Sequence, residues 1–191
     1  MASSIDVLID GFGRVRESVQ AVLDGEPGPE VLEWRADSEA NTVAWLVWHL
    51  TRVQDDHIAA AAGTQQRWTA DGWVERFALP LSRDTTGYGH SPEDVAAVRA
   101  DAALLGRYYE AVHDATTDYL RGLADDDLDR VVDTRWDPPV TLGVRLVSVL
   151  DDDLEHVGQA AFLRGVAERR SGSGPARAPG IPRSPPPARP R

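Results

Sequence analysis

Two short stretches carry residue types capable of chemistry. "LDDDLEHVGQ", residues 150–159, sets three aspartates, a glutamate and His156 inside an apolar helical pattern marked by Leu146, Val149, Leu150 and Val157. "NTVAWLVWHLTRVQDDH", residues 41–57, carries His49, Asp56 and His57. At about 100° per residue, Asp152 lies one turn before His156 on nearly the same face, and Asp153 sits nearer the middle of the apolar arc. His49 falls at the edge of the stripe formed by Leu46, Leu50 and Val53, with Asp56 seven residues later on the same line. Carboxylates turned toward an interior are costly unless they are paired or bind a metal. Two imidazoles and one carboxylate, with positions left open, suit zinc or non-haem iron. The plainer alternative is a solvated acidic helix face with hydrogen-bonded structural histidines. Spacing alone leaves both readings open, and leaves both Asp152 and Asp153 in play.

Composition narrows the chemistry. The chain has 191 residues, no cysteine and a formal net charge of -11, and all twenty of its cationic side chains are arginine. Thiolate nucleophiles, disulfides and sulfur-ligated metals are therefore excluded, and any metal must be held by nitrogen and oxygen. A strongly acidic chain lacks the basic surface that nucleic-acid binding requires. No apolar run approaches the roughly 20 residues needed to cross a bilayer. The opening "MASSIDVLIDGFGRV" has no basic segment leading into an apolar one, so a cytoplasmic protein without membrane or nucleic-acid partners is expected.

These residues must be positioned by helices. Ile5, Leu8, Ile9, Phe12, Val15, Val19, Val22 and Leu23 predict a first helix over about 3–23, stopped by "DGEPGPE". A second is predicted over about 40–62, with Asn41 or Ser38 as its cap. "SPED" opens a third at Ser91, with Pro92 at the first helical position and Asp94 completing a capping box. This helix is expected to continue to about Leu123. The fourth runs from near Thr141 to about Arg169, after the "WDPP" breaker, while "DRVVDTRW" promises only a short extended piece. An all-α four-helix bundle over residues 1–170 follows. The connection between helices two and three, about 63–90, is long enough to travel back along helix two, which gives an up-down-down-up order. From Ser171 to Arg191 the chain is Gly, Pro, Ser and Arg and is expected to be disordered.

Other candidates carry weaker claims. His57 is expected on the core side of helix two as a buried, hydrogen-bonded residue rather than a ligand. His90, in the "GYGHSP" turn, is expected to face solvent, and His113 lies on helix three among polar neighbours. Trp45, Trp48, Trp68 and Trp73 are expected in the core.

The two opening segments together resemble the DinB-like metal-binding four-helix superfamily, in particular its mycothiol-dependent branch of maleylpyruvate isomerases and mycothiol S-transferases. In that family helix two supplies one histidine, and helix four supplies a ligand four residues before a histidine followed by x-Gly-Gln. The resemblance thus implies His49, Asp152 and His156 as the ligands of a divalent metal, with Gly158 and Gln159 completing the signature. Many relatives carry histidine where this chain has Asp152, and the isomerases carry a carboxylate there. The implied activity is a thiol S-transferase or isomerase in which zinc, or nickel or ferrous ion, activates mycothiol as co-substrate for attack on a small electrophile. Asp56 would orient His49, and Arg52 or Arg83 would meet anionic parts of a ligand. The competing functions are a non-catalytic metal-binding or dimerising stress-associated module and a metal-dependent hydrolase. Pairing into a homodimer is left open.

Overall fold

The computed structural model describes residues 2–172. Of the tail expected to be disordered, 171–191, Ser171 belongs instead to the last helix and Gly172 caps it; residues from 173 onward lie outside the described residues. Among the described residues, eight α-helices, one 3-10 turn (Asp125–Asp129) and one small hairpin make up the fold, and four of the α-helices are long.

The first, α1 (Ser4–Leu23), opens on a capping box. Ser3 accepts from the backbone of Asp6, and the Asp6 side chain accepts from Ser3 N–H, so two otherwise orphaned donors are satisfied. Its buried residues, Ile5, Leu8, Phe12, Val15, Val19, Val22 and Leu23, form the predicted stripe except for Ile9, which is half-buried at its edge. A single turn, α2 (Pro29–Leu32), then leads to α3 (Val43–Ala62). Thr42 caps α3 by accepting from Trp45 N–H, in place of the expected Asn41 or Ser38. Gly63 ends it in the left-handed conformation, at φ 69°.

The helix α3 is enclosed around most of its girth. Every residue from Val43 to Arg52 is buried, because α3 packs on two other long helices and the following connection wraps its remaining side. That connection carries two short helices, α4 (Arg67–Ala70) and α5 (Trp73–Phe77). It is pinned to α3 by buried polar residues. Asp55 accepts from the N–H groups of Arg67 and Trp68, both at 2.8 Å, and from the Tyr108 hydroxyl at 2.9 Å. Arg52 Nε donates to the Thr85 carbonyl at 3.2 Å and Nη1 to Gln66 Oε1 at 2.9 Å.

The expected third helix is broken in two. Ser91, Pro92 and Asp94 form the predicted capping box on α6 (Pro92–Ala97), but Val98 turns to an extended conformation. A second start follows at α7 (Ala102–Arg121), where Asp101 accepts from Leu104 N–H. The Asx cap at Asp101 competes with helix continuation and wins. Strand β1 (Val131–Asp133) then pairs antiparallel with β2 (Val140–Thr141). Thr141 caps α8 (Leu142–Ser171), the longest helix.

The long helices form a ring of neighbours. Arg164 of α8 donates to the Ala21 and Val22 carbonyls at the end of α1, while Gly11 faces Leu150, so α1 and α8 run in the same direction. Gln54 bonds Thr116 and Tyr119 bonds the Ala61 carbonyl, so α3 and α7 also run together. Arg16 pairs with Glu110 while Gly106 lies beside Leu23, so α1 and α7 run opposite ways. The core between them holds Phe12, Leu46, Trp48, Leu105, Tyr108 and Leu146, all fully buried. No helix among the described residues is long and apolar enough to cross a membrane.

Candidate metal centre

The facing sides of α3 and α8 bring three expected residues together. His49, Asp152 and His156 each offer a ligand atom, and these atoms lie within 4.8 Å of one another. Tetrahedral bonds of about 2.1 Å would put donors roughly 3.4 Å apart, so small side-chain rotations complete a coordination sphere. The imidazole centroids of His49 and His156 are 4.7 Å apart and nearly perpendicular.

Hydrogen bonding sets the tautomer of both rings. His49 Nδ1 lies 2.6 Å from the Thr86 carbonyl, and His156 Nδ1 lies 2.7 Å from the Asp152 carbonyl. A carbonyl can only accept, so each Nδ1 carries the proton and each Nε2 keeps its lone pair for a metal. Burial lowers the pKa of His49, followed by opposing and reinforcing effects of the Thr86 carbonyl and the neighbouring His156, so the ring is held neutral. Asp152 supplies the third donor. Its Oδ2 is buried and has no hydrogen-bond partner, and it lies 3.6 Å from His156 Nδ1. A buried acceptor without a donor is expensive unless something positive occupies the space before it. The donor set of two imidazoles and one carboxylate fits a divalent ion of the zinc or iron type.

The connection between α3 and α6 closes over this centre. Gly87, at φ +104°, lies so close to His49 that a Cβ there would meet Nδ1 at 2.5 Å and Trp45 at 3.1 Å. Only glycine lets the backbone bring the Thr86 carbonyl onto the ring. Trp45 stacks on His49 with centroids 4.5 Å apart. Its Nε1 donates to His90 Nδ1 at 3.1 Å, so His90 carries its proton on Nε2, which faces Thr85 Oγ1 at 2.8 Å. His90 is thus a clasp between the loop and α3 rather than a solvent-facing residue.

Several expectations are corrected. Asp153 is fully buried with both carboxylate oxygens unpartnered, and it stands outside the cluster. Desolvation raises its pKa well above the ordinary carboxylate value, and the charge of Asp152 adds to the rise. His57 is half-exposed rather than buried, with Asp56 Oδ2 3.9 Å away. Asp56 accepts from Gln66 Nε2 at 2.6 Å, so the Thr86 carbonyl, and not Asp56, orients His49. Arg52 is consumed by Thr85 and Gln66, and Arg83 pairs with Glu75 at 2.8 Å, so neither meets the centre. His113 is buried against Tyr109. The four tryptophans are buried as expected.

Thr86 and Gly87 had no role in the reading of the sequence, and His90 was expected only to face solvent. The one available signal was the glycine pair in "TTGYGH", where two positive-φ positions flank a turn.

A helical bundle whose two antiparallel helices α3 and α8 share an N/O ligand cluster is the class that fold and site define. The chain belongs to the DinB superfamily, whose profile matches residues 11–160. It is similar to a crystal structure described as that of the conserved protein of locus from Enterococcus faecalis, at 32% identity and a TM-score of 0.80. The likeness covers 87% of this chain and 98% of that one. No curated protein matches.

Proposed function

We propose that this chain is a divalent-metal enzyme of the mycothiol-dependent kind, a thiol S-transferase or isomerase, with the metal held by His49, Asp152 and His156. One observation carries the reading: two imidazoles with Nδ1 spent on carbonyls converge with the orphaned, buried Oδ2 of Asp152. Zinc suits this donor set, and nickel or ferrous ion would fit the same atoms. The ion, when bound, supplies the Lewis acidity that lowers the pKa of a thiol.

The chain's own residues do the remaining work. Thr86 and the backbone of Asp152 hold the two rings in register, and Trp45 shields His49 from water. Three protein donors leave room for a thiol. Absence of cysteine means that no protein thiol competes with the co-substrate for the metal. The DinB superfamily assignment supports the metal centre, and the carboxylate at position 152 favours the isomerase-like branch.

The test is a thiol-consumption assay on metal-loaded protein, offering mycothiol, glutathione and free cysteine with an activated aryl halide. Product should form with mycothiol, vanish on chelation, and fall about 100-fold or more in Asp152→Asn. Turnover that needs no thiol, or that survives chelation, would overturn the proposal.

A further inference from the structure

The helices that carry the metal cluster, together with the hairpin, also line a cavity. It has a volume of about 390 Å³ and is lined by Asp56, His57, Asp133, Thr134, Arg135 and Arg145, with small apolar residues between them. Arg145 stands seven residues before Asp152 on α8, and Asp56 stands seven after His49 on α3. Seven residues are nearly two whole turns and about 10.5 Å of helix. Because α3 and α8 run in opposite directions, both displacements go the same way along the bundle. Cavity and cluster therefore share one face and lie about 10 Å apart.

The wiring of the cavity leaves donors free. Asp133 is the shared acceptor: Oδ2 takes Arg135 Nη2 at 2.8 Å and Arg145 Nη2 at 3.0 Å, while Oδ1 takes the backbone N–H and Nε of Arg135, each at 3.0 Å. Two guanidinium groups on one carboxylate give the hairpin end of the cavity a surplus positive charge. Nε and Nη1 of Arg145 have no acceptor among the described residues, and its side chain is only 18% exposed. Beyond its bond to Asp133 this guanidinium keeps charged N–H donors at Nε and Nη1, to which a carboxylate oxygen can bond. The balancing acid, Asp56, lies on the α3 side of the cavity and is taken by Gln66.

We propose that this cavity receives the carboxylate end of an elongated small-molecule substrate whose reacting end lies at the His49–Asp152–His156 cluster. Arg145 and Arg135 are the residues that bind it. The proposal rests on the metal-centre reading for the position of the reacting end only. The span of about 10 Å selects for ligand length, and the arginines select for a terminal anion over a neutral group.

Suberate, an eight-carbon dicarboxylate able to bridge that span, and its neutral diamide are the probes. Each is titrated by ¹⁵N–¹H NMR into the full chain, with zinc loaded and after chelation. Suberate should shift the amide signals of Ala60, Ala61, Thr134 and Arg135 saturably, and the diamide should not. Its affinity should fall at least about tenfold in Arg145→Gln and in Arg135→Gln. The Arg135 side chain is 84% exposed, so that variant keeps the test valid even where Arg145→Gln loosens the hairpin. Silence at the hairpin, or an equal response to the diamide, overturns the proposal. Hairpin shifts that are indifferent to chelation support the anion cavity and count against the metal reading. Shifts confined to the surroundings of His49, Asp152 and His156 support the metal reading and overturn the cavity.

Discussion

Along α3 and α8, two clusters that both combine aspartate with histidine, one of them adding two arginines, are wired in opposite ways. At one, Asp152 keeps a buried oxygen free while the histidines beside it spend their Nδ1 protons on backbone carbonyls. About two turns away, Asp133 is saturated by Arg135 and Arg145, and His57 stands half-exposed near Asp56. The first arrangement leaves acceptors without cations, which a metal ion would satisfy. The second leaves cation donors without acceptors, which an anion satisfies. Residue type therefore says less than which partner has already taken each lone pair or proton.

The largest contrast should come from removing each acid. Asp152→Asn should abolish stoichiometric metal binding and leave the melting temperature of the metal-free protein nearly unchanged. Asp133→Asn should keep the metal and lower the melting temperature by several degrees, because two guanidinium groups lose their common acceptor. Metal content and thermal denaturation of the same samples read both. If each variant lost both properties, the two clusters would be one cooperative unit and the distinction would fail.

A smaller effect is expected at Gly87. Gly87→Ala forces a Cβ toward His49 Nδ1 and displaces the Thr86 carbonyl. Affinity for zinc should drop about 10- to 100-fold, as for loss of other outer-sphere orienting partners, which competitive chelator titration would measure. Unchanged affinity would show that the carbonyl does not orient the ring.

Much of this organisation was legible in the sequence, for identifiable reasons. The stripe of α1 and the cap at Ser91 are local features, read from spacing and side-chain chemistry. Asp152 and His156 were legible because one helix fixes their relation at four residues. His49 lies about a hundred residues away, and only the resemblance of its segment tied it to them. The break at Val98 was hidden because "VRAD" contains no glycine or proline, and the Asp101 cap competes without either. The orientation of His49 depends on a backbone carbonyl, which no residue type announces. Nothing in the sequence marks Arg145 and Asp133, which the hairpin brings together.

Asp153 sharpens the account from a third side, since it is a buried acid with neither cation nor donor. Its folded pKa lies above its unfolded value. The unfolded chain therefore ionises first as pH rises, and the folded state loses stability through that interval. Asp153→Asn should raise the melting temperature of metal-free protein at pH 8 by roughly 2–4 °C, the equivalent of about 1 kcal/mol in a chain of this size. The gain should shrink as pH falls toward 5. A variant that melts lower at pH 8 would show that the carboxylate has a partner.

The histidines set the smallest effect. Burial lowers the pKa of His49, His57, His90 and His113 from 6.5. The unfolded chain then takes up protons that the folded chain refuses, so metal-free protein should lose stability as pH falls below about 6.5. Because Asp153 acts with the opposite sign over the same interval, denaturant midpoints of the metal-free Asp153→Asn variant between pH 7.5 and 5.5 check the sign, and a flat or rising profile there would contradict it.

The most direct measurement is elemental analysis of wild type, His156→Ala and His57→Ala, each purified without chelator. Wild type and His57→Ala should each carry one divalent ion per chain, and His156→Ala should carry none. Undiminished metal in His156→Ala, or its loss in His57→Ala, would contradict the account.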